Sequence, residues 1–403
     1  DVYKRQQLYI AGDLVIPNFF QINNINFSAN YKPDPTGYED EIQSIFASAE
    51  LSWKNQLYLT VTGRNDWDSK LAFSKQKSFF YPSVGLSALL SEMVKLPEVI
   101  SYAKIRGSYT VVASSFDRFL TNPGYEYNSQ THNWANPTVY PMDNMKPEKT
   151  KSWEIGLNLK FWGNRFNLDA TYYRSNTLNQ TFKVDIPSSS GYKQAIVQAG
   201  NVQNQGIELA LGFSDKWAGF GWSSNATFTL NRNKVKRLAS GSVNPVTGEA
   251  IQMDEMNVGW LGKENVAPRV ILTEGGSMTD IYVYNQLTKD NNGNIKVDQN
   301  GNLGITSSNT PVKVGNLDAD FNLGWTNHFT YKGIDLGVVL SARVGGLAYS
   351  ATQGILDYYG VSETSATARD NGGIPINNGK VNAQKYHQTL GTGEGGYGRY
   401  YLY

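Results

Sequence analysis

Apolar side chains occupy every second position in five pairs of segments, and a short connection joins the two members of each pair. Residues 152–161 read SWEIGLNLKF, which gives one apolar face and one polar face. A period of two is the pattern of a β-strand with two different faces. Residues 162–165 leave room only for a tight turn, so the return segment FNLDATYY (166–173) must run antiparallel. The five predicted pairs are 45–53 with 57–61, 84–90 with 103–111, 152–161 with 166–172, 207–213 with 220–230, and 321–331 with 334–344.

The connections between one pair and the next are much longer than the turns within a pair. Because consecutive antiparallel strands alternate in direction, the long connections all lie at one end of the sheet and the short turns at the other. We predict long, irregular connections at roughly 67–81, 113–150, 182–203, 234–318 and 346–399.

The composition restricts the class of protein further. The 403 residues contain no Pro-, Gly- or Ser-rich linker, so one continuous sheet is the simplest organisation. Lys and Arg number 36 against 35 Asp and Glu, which gives no reason to expect a nucleic-acid partner. There is no cysteine, and the three histidines, His132, His328 and His387, are far apart. We therefore expect no metal site and no cofactor.

No apolar run approaches the ~18 residues of a transmembrane helix, but a transmembrane β-strand faces lipid with alternate residues only and is polar on average. Three observations favour an antiparallel transmembrane β-barrel. The strands run about 10 to 13 residues, near the length of a tilted membrane strand, whereas globular strands average about 5 or 6. Trp and Tyr gather beside the short turns, as in an interfacial girdle. Mid-strand charges such as Arg106, Glu154 and Asp169 fall on the polar face.

Seven strings, in this order along the chain, resemble one family. They are GRNDWDSKL (63–71), SFFYPSVGLSALLSE (78–92), KPEKTKSWEIGLNLKFWGNRFNLDATYYRSNTLNQ (146–180), PSSSGY (187–192), AGNVQNQGIEL (199–209), RVGG (343–346) and ATARDNGG (366–373). Through them the chain resembles the SusC/RagA family of TonB-dependent transporters of the Bacteroidetes outer membrane, over most of residues 40–375.

The resemblance implies a barrel of about 22 strands closed by an N-terminal plug. It also implies an outer-membrane location, a SusD-like surface lipoprotein as partner, and import of an oligosaccharide or a peptide that is driven by TonB through the plug. Nothing in the sequence resembles the plug or the TonB box. We therefore expect about half of a barrel at 41–403, preceded by an irregular segment at 1–40, whose opening DVYKRQ has the look of a possible non-native start.

Two groups of residues are candidate ligand contacts. Arg64, Asp66 and Trp67 end a strand at the outer rim, where polar groups could hydrogen-bond a glycan, although an Arg and an Asp in this position more often form a structural pair. The second group is Tyr125, Tyr127 and Trp134 in a connection that is rich in aromatic residues. Exposed aromatic rings at a barrel mouth can stack on sugars or grip a partner, whereas the simpler interpretation is that they pack a small core of the loop itself. The aromatic residues of this connection are Phe116, Phe119, Tyr125, Tyr127, His132, Trp134 and Tyr140.

Other chemistries receive less support from the sequence. The segment 289–303 has Asp and Asn at alternate positions but lacks the Gly and Glu spacing of a calcium-binding EF-hand loop, so its Asn-Gly dipeptides are better interpreted as turns. No GxSxG elbow is present, and the loop carboxylates have no sequence reason for a raised pKa. We therefore expect no catalytic residues. A soluble carbohydrate-binding β-sandwich remains the alternative, and a glycoside hydrolase using Glu41 or Glu255 is the third possibility.

Overall fold

The computed structural model describes residues 2–7, 17–18, 36–128, 133–142, 145–186, 188–238, 253, 255–261, 267–390 and 402–403. Strands predominate among these residues, which also include four short α-helices. The strands are β1 Val2–Gln7, β2 Thr36–Trp53, β3 Leu57–Asp68, β4 Ser78–Leu89, β5 Ile100–Ser114, β6 Glu126–Asn128, β7 Asn133–Ala135, β8 Val139–Tyr140, β9 Glu148–Phe161, β10 Phe166–Leu178, β11 Gln180–Asp185, β12 Gln194–Ala199, β13 Asn201–Trp217, β14 Phe220–Arg237, β15 Glu255–Trp260, β16 Arg269–Thr273, β17 Asp280–Leu287, β18 Ile305–Asn316, β19 Phe321–Tyr331, β20 Ile334–Val344, β21 Ile374–Ile376 and β22 Gly379–Val381. The helices are α1 Leu90–Met93, α2 Ala351–Tyr358, α3 Glu363–Asp370 and α4 Ala383–Leu390.

Eleven of these strands form one antiparallel sheet, which we call the barrel sheet, in the order β1-β2-β3-β4-β5-β9-β10-β13-β14-β19-β20. All five predicted hairpins are confirmed within it. Its order is the order along the chain, so each long connection returns to the neighbouring position at the same end of the sheet. The sheet is open, with β1 and β20 at its two edges. Eleven strands are half of the about 22 that the sequence resemblance implies, so the expected partial barrel is confirmed.

Strand β1 lies within the segment 1–40 that we expected to be irregular. It pairs with the start of β2, with Val2 opposite Glu41 and Gln7 opposite Thr36. That part of the expectation is wrong. The proposed division of the chain after residue 40, and the interpretation of the first residues as a non-native start, stay predictions.

The register of the barrel sheet keeps apolar residues together on one face. Between β9 and β10, Leu157 lies opposite Ala170 and Asn158 lies opposite Asp169. Because neighbouring residues point to opposite faces, the apolar pair and the polar pair are on different sides of the sheet. We call the apolar side the outer face and the polar side the inner face.

Apolar side chains of the outer face are exposed along the sheet. Ile45 in β2 is 69% exposed, and Leu340 in β20 is 53% exposed. A β-sandwich would bury such residues against a second sheet. No second sheet covers this face among the described residues, so the structure does not support the sandwich alternative. The same pattern is expected of a sheet whose outer face meets lipid.

The tight turns follow from residues with positive φ. Lys332 and Gly333 have φ of 47° and 86° between β19 and β20, and Lys54 and Asn55 have φ of 51° and 55° between β2 and β3. Two consecutive residues with positive φ twist the chain in the sense that matches two antiparallel strands. These turns keep the short-turn end of the sheet compact.

Four of the five predicted long connections, all except the one at 67–81, contain β-strands or α-helices of their own, and for these four the expectation is wrong. They contain a three-stranded sheet β11-β12-β8, a four-stranded sheet β15-β16-β17-β18, the small hairpins β6-β7 and β21-β22, and helices α2 to α4. We call these elements, with the segments that join them, the loop layer. In the part of the chain that the structure describes, no helix has both the length and the apolar character needed to cross a membrane.

The loop layer has cores of its own. Three clusters of buried apolar side chains lie there or at its border with the barrel sheet. One consists of Leu71, Phe79, Phe116, Met145 and Ile196; the second of Val197, Val235, Leu238, Met256 and Leu272; the third of Leu287, Leu303, Ile376, Val381 and Leu390. Each cluster combines residues from at least two segments that are distant in sequence, so the loop layer is held together by long-range packing.

Candidate functional site

The inner face of the barrel sheet carries a polar network that spans three strands. Arg106 in β5 reaches across β9 to Asp169 in β10, with 2.9 Å between Nη2 and Oδ1, and its Nη2 also donates to the Thr171 hydroxyl at 2.6 Å. The guanidinium passes directly over Gly156, where an added Cβ would lie 2.5 Å from Cζ of Arg106. Asn158 donates to the same carboxylate at 3.0 Å. The predicted placement of mid-strand charges on the inner face therefore has a structural role in joining strands.

The outer face carries a belt of aromatic rings next to the short turns. The ring centroids of Phe166 and Phe213 are 4.7 Å apart, and those of Phe213 and Trp222 are 4.8 Å apart. The contacts continue from ring to ring across β9, β10, β13, β14 and β19. The belt consists of Phe161, Trp162, Phe166, Phe213, Trp217, Phe220, Trp222 and Phe329. Aromatic residues at one level of a sheet are typical of a membrane interface.

The first predicted group of ligand contacts is divided by the sheet. The Arg64 Nε donates to Asp66 Oδ1 at 2.7 Å, and the Tyr81 hydroxyl donates to Asp66 Oδ2 at 2.6 Å. Arg64 also donates to the Ser44 hydroxyl at 2.9 Å, so the hydrogen bonds of Arg64 and Asp66 together connect the three neighbouring strands β2, β3 and β4. Trp67 lies on the opposite, outer face and is partly exposed. The structure therefore forms the Arg–Asp pair that we considered the simpler interpretation, and it does not bring Trp67 to it.

The second predicted group lies in the connection between β5 and β9. Tyr125 and Trp134 are 65% and 68% exposed, and Tyr127 in β6 is the register partner of Trp134 in β7. Phe116 is buried. Phe116 therefore packs into a core, whereas Tyr125 and Trp134 are exposed. His132 lies outside the described residues.

A groove of about 490 Å³ opens beside these exposed rings. Phe119, Tyr125, Pro123 and Pro137 line the groove. Ile196 of β12 also lines it and belongs to the buried cluster that contains Phe116. Its lining is therefore mainly apolar and aromatic. Such a surface can take the C–H face of a sugar ring or the apolar side chain of a peptide.

Two features of the groove could not be read from the sequence. Phe119 is 63% exposed and has φ of 60°, a conformation that aromatic residues rarely adopt. Arg118, also in the lining, pairs with Asp40 of β2 at 3.3 Å, which ties the groove to the barrel sheet. A positive φ outside a glycine often marks a functional position, but no sequence pattern announces it.

The segment 289–303 folds as two tight turns of the same kind. In each, one Asp oxygen accepts hydrogen bonds from the backbone N–H groups two and four residues further on, with distances of 2.8 and 2.9 Å at Asp290 and 2.8 and 2.7 Å at Asp298. These hydrogen bonds lower the pKa of both carboxyls. The carboxylates cap turns, as the Asn-Gly dipeptides indicate. Among the described residues there is no group of three or more side chains that could hold a metal ion.

The carboxylates considered for a hydrolase belong to different sheets. Glu41 is in β2 of the barrel sheet, and Glu255 begins β15 in the loop layer. The buried His387 lies 3.5 Å from Asp357, from Nδ1 to Oδ2, which is too long for a hydrogen bond. Ser362 donates to this aspartate and not to the histidine. The arrangement is not that of a Ser-His-Asp triad.

An open antiparallel sheet with an exposed apolar outer face, a polar inner face and an aromatic belt at one end defines the class of protein, an outer-membrane β-barrel. A family model described as TonB dependent receptor-like, beta-barrel matches residues 5–265, which is more than half of the chain. The chain belongs to this TonB-dependent receptor β-barrel family, and its location is the outer membrane.

Similar proteins agree with this assignment. The TonB-dependent receptor P3 of Formosa agariphila is 25% identical over 380 residues, which cover 85% of this chain and 36% of that protein. The TonB-dependent receptor SusC of Bacteroides thetaiotaomicron is 25% identical over 353 residues, which cover 81% and 34%. The chain thus spans about a third of the length of these curated relatives.

Solved structures show the same fold. The structure of the RagAB peptide transporter matches with a TM-score of 0.66 and 16% identity over 87% of this chain and 38% of the solved chain. The closed-closed state of the RagAB peptide importer matches with a TM-score of 0.62 and 17% identity over 81% and 35%.

Proposed function

We propose that this chain forms part of the wall of a TonB-dependent outer-membrane importer that takes up oligosaccharides or peptides. A SusD-like surface lipoprotein would present the substrate, and TonB would act through a plug held inside the barrel. The observation that carries the proposal is the opposite polarity of the two faces of one sheet. An apolar outer face suits lipid, whereas a polar inner face suits a plug and a hydrophilic substrate.

The loop layer supplies the substrate contacts in this proposal. The groove beside Phe119 and Tyr125 lies at the long-loop end, and Tyr127 and Trp134 lie in the same connection. Aromatic rings provide a large contact area at little cost in side-chain entropy. The Arg64–Asp66 pair lies near the same end of the inner face, where it could meet a substrate that enters the barrel. Trp67 lies on the outer face and is therefore less suited to contact a substrate inside the barrel.

The relatives support the class of function and leave two substrate types open. RagAB is described as a peptide transporter, and SusC is described as a TonB-dependent receptor. The groove itself fits either type, because rings stack on sugars as well as on apolar side chains. We propose no catalytic step. Capture and passage need binding surfaces, and several of the described carboxylates, such as Asp66, Asp169 and Asp290, serve in ion pairs or turns.

Uptake by the full-length protein tests the proposal. Cells that carry it would be given fluorescent malto-oligosaccharides or a fluorescent casein digest, with and without a functional TonB. We expect TonB-dependent accumulation of one probe. The double change Phe119→Ala and Tyr125→Ala should reduce that uptake about tenfold, since each lost ring contact is expected to weaken binding by about 0.5–1.5 kcal/mol.

Phe73→Ala is the matched control, because Phe73 is also an exposed aromatic residue at the long-loop end but does not line the groove. Uptake of both probes without TonB would contradict the importer. TonB-dependent uptake that the groove variant does not reduce would leave the importer intact and reject the groove as its substrate contact.

A further inference from the structure

Two turns at the short-turn end hold a lysine ammonium over an aromatic ring of the outer face. Lys54 follows Trp53, and its Nζ lies 4.6 Å from the centroid of that ring. Lys332 follows Tyr331, with a distance of 5.2 Å. The two turns are far apart along the barrel sheet, between β2 and β3 and between β19 and β20. The same arrangement therefore occurs independently at two places.

The backbone of each turn fixes the lysine in this position. Both lysines have a positive φ, of 51° and 47°, which is the left-handed conformation that L residues rarely adopt. A two-residue turn of this kind favours Asn before Gly, yet Lys332 precedes Gly333. Turn geometry alone therefore does not explain why lysine occupies this position. A role for the lysine charge would explain it.

The two ammonium groups have no carboxylate partner in the described part of the chain. Neither Lys54 nor Lys332 forms an ion pair among the residues that the structure describes. The carboxylate closest in sequence to the second turn, that of Asp335, lies on the inner-face parity of β20 and is 3.5 Å from His328. Each ammonium is therefore free to bind an anion from outside the chain.

The surroundings of both lysines are apolar and exposed. Trp53 is about half exposed, as is Tyr331, whose register partner Ile334 is 69% exposed. Tyr331 also pairs with Phe220 of the aromatic belt. An ammonium at the edge of an exposed apolar and aromatic surface matches a lipid in shape and charge, because acyl chains would cover the rings while a phosphate meets the cation.

We propose that Lys54 with Trp53, and Lys332 with Tyr331, are two binding sites for the phosphate of an anionic phospholipid at the short-turn interface of the membrane. The ammonium donates hydrogen bonds to the phosphate oxygens, and the ring holds the ammonium at the headgroup level. This role goes beyond substrate import, since it concerns how the barrel wall selects the lipids around it.

Lipid retention by the full-length protein tests the proposal. The protein would be reconstituted in nanodiscs of phosphatidylcholine with increasing phosphatidylglycerol, and the lipids that stay bound would be counted by native mass spectrometry. We expect a preference for phosphatidylglycerol, which Lys54→Gln and Lys332→Gln each reduce about fivefold at their own site. The change Lys332→Arg keeps the charge and should retain the preference.

The control is the double change Lys75→Gln and Lys289→Gln, which removes two exposed lysines from the connections at the long-loop end. It should leave the lipid preference unchanged. A wild-type protein with equal retention of both lipids would overturn the proposal, even if the glutamine variants failed to fold. The proposal would also be overturned if inorganic phosphate bound the two lysines as tightly in detergent as the lipid does in nanodiscs.

Discussion

In the barrel sheet, Ile45 and Leu340 are more than half exposed, whereas in the loop layer Val197 and Leu238 have no exposed surface. The polar residues also have different roles in the two regions. In the sheet, Arg106 and Asp169 connect strands across the inner face. In the loop layer, Asp290 and Asp298 cap exposed turns. The two regions belong to one chain but follow opposite rules for apolar side chains.

The difference is explained by the solvent that each region meets. The loop layer meets water, so its apolar residues collect in small cores. The outer face of the barrel sheet meets hydrocarbon, where an exposed apolar side chain costs nothing and a charge is costly. Replacements with opposite consequences in the two regions therefore test the comparison.

The largest effect is expected in the core of the loop layer. Leu272→Ala removes a side chain that is 1% exposed and packs with Met256 and Val235. It should lower the local free energy of unfolding by about 2–5 kcal/mol, because a cavity remains. Limited proteolysis of the full-length protein in detergent should show faster cleavage in the loop layer, with unchanged heat-modifiable mobility of the barrel. Leu356→Ala, at a partly exposed position of α2, is the control. Equal sensitivity of both variants would contradict a packed loop layer.

A charge on the outer face should have the next largest effect. Leu157→Arg places a guanidinium at mid-depth of β9 toward lipid, at a cost of about 2–4 kcal/mol. Assembly of the full-length protein into the outer membrane should fail, as measured by membrane fractionation. The neighbouring change Asn158→Arg points to the inner face and should be mild. If both variants assembled equally well, the assignment of the two faces would be wrong.

A smaller effect is expected at the crossing of Arg106 over Gly156. Gly156→Ala would place a methyl group 2.5 Å from the guanidinium and force it away from Asp169 and Thr171. We expect a loss of about 1–3 kcal/mol, as for other overpacked positions. The unfolding of the full-length barrel in urea would measure it. Gly85→Ala is a matched control, because Gly85 is also an inner-face strand glycine but an added Cβ there meets nothing within 4 Å.

The smallest effect is a pH dependence confined to the loop layer. Burial lowers the pKa of His387 below its ordinary value of 6.5, and Arg369 adds to this lowering, while Asp357 opposes it. The unfolded segment therefore binds a proton more readily than the folded one, so stability is present above about pH 6.5 and falls as the pH decreases through that value. After correction for the intrinsic pH dependence of amide exchange, residues 351–390 should be less protected from hydrogen exchange at about pH 5 than at about pH 8. His387→Gln should remove most of this difference, and an unchanged difference would contradict the role of the histidine.

Much of the barrel sheet was predictable because its pattern is local. Alternation along 152–161 is visible within ten letters, and the turn that follows fixes the partner strand. The same alternation could also have separated Trp67 from Arg64, since residues at odd and even positions point to opposite faces. The sequence therefore already indicated that Trp67 points away from Arg64 and Asp66, and the prediction that placed the three together was wrong in this respect.

The loop layer was not predictable in the same way. Its small sheets and helices are short, and the stability of such elements comes from packing against distant segments more than from local propensity. Tyr125, Tyr127 and Trp134 could be named as candidates, because a concentration of aromatic residues is visible in the sequence. The exposure of Tyr125 and Trp134 and the burial of Phe116 could not be predicted in this way.

The sequence by itself determined a two-faced antiparallel sheet with its turns at one end, because a period of two acts through neighbouring residues and needs no knowledge of the rest of the chain. Only the tertiary structure decided where a ligand could bind. The groove joins Phe119, Pro137 and Ile196, and the pair of Arg118 with Asp40 spans 78 positions. Contacts between such distant segments depend on how the connections pack on one another, which no local pattern encodes.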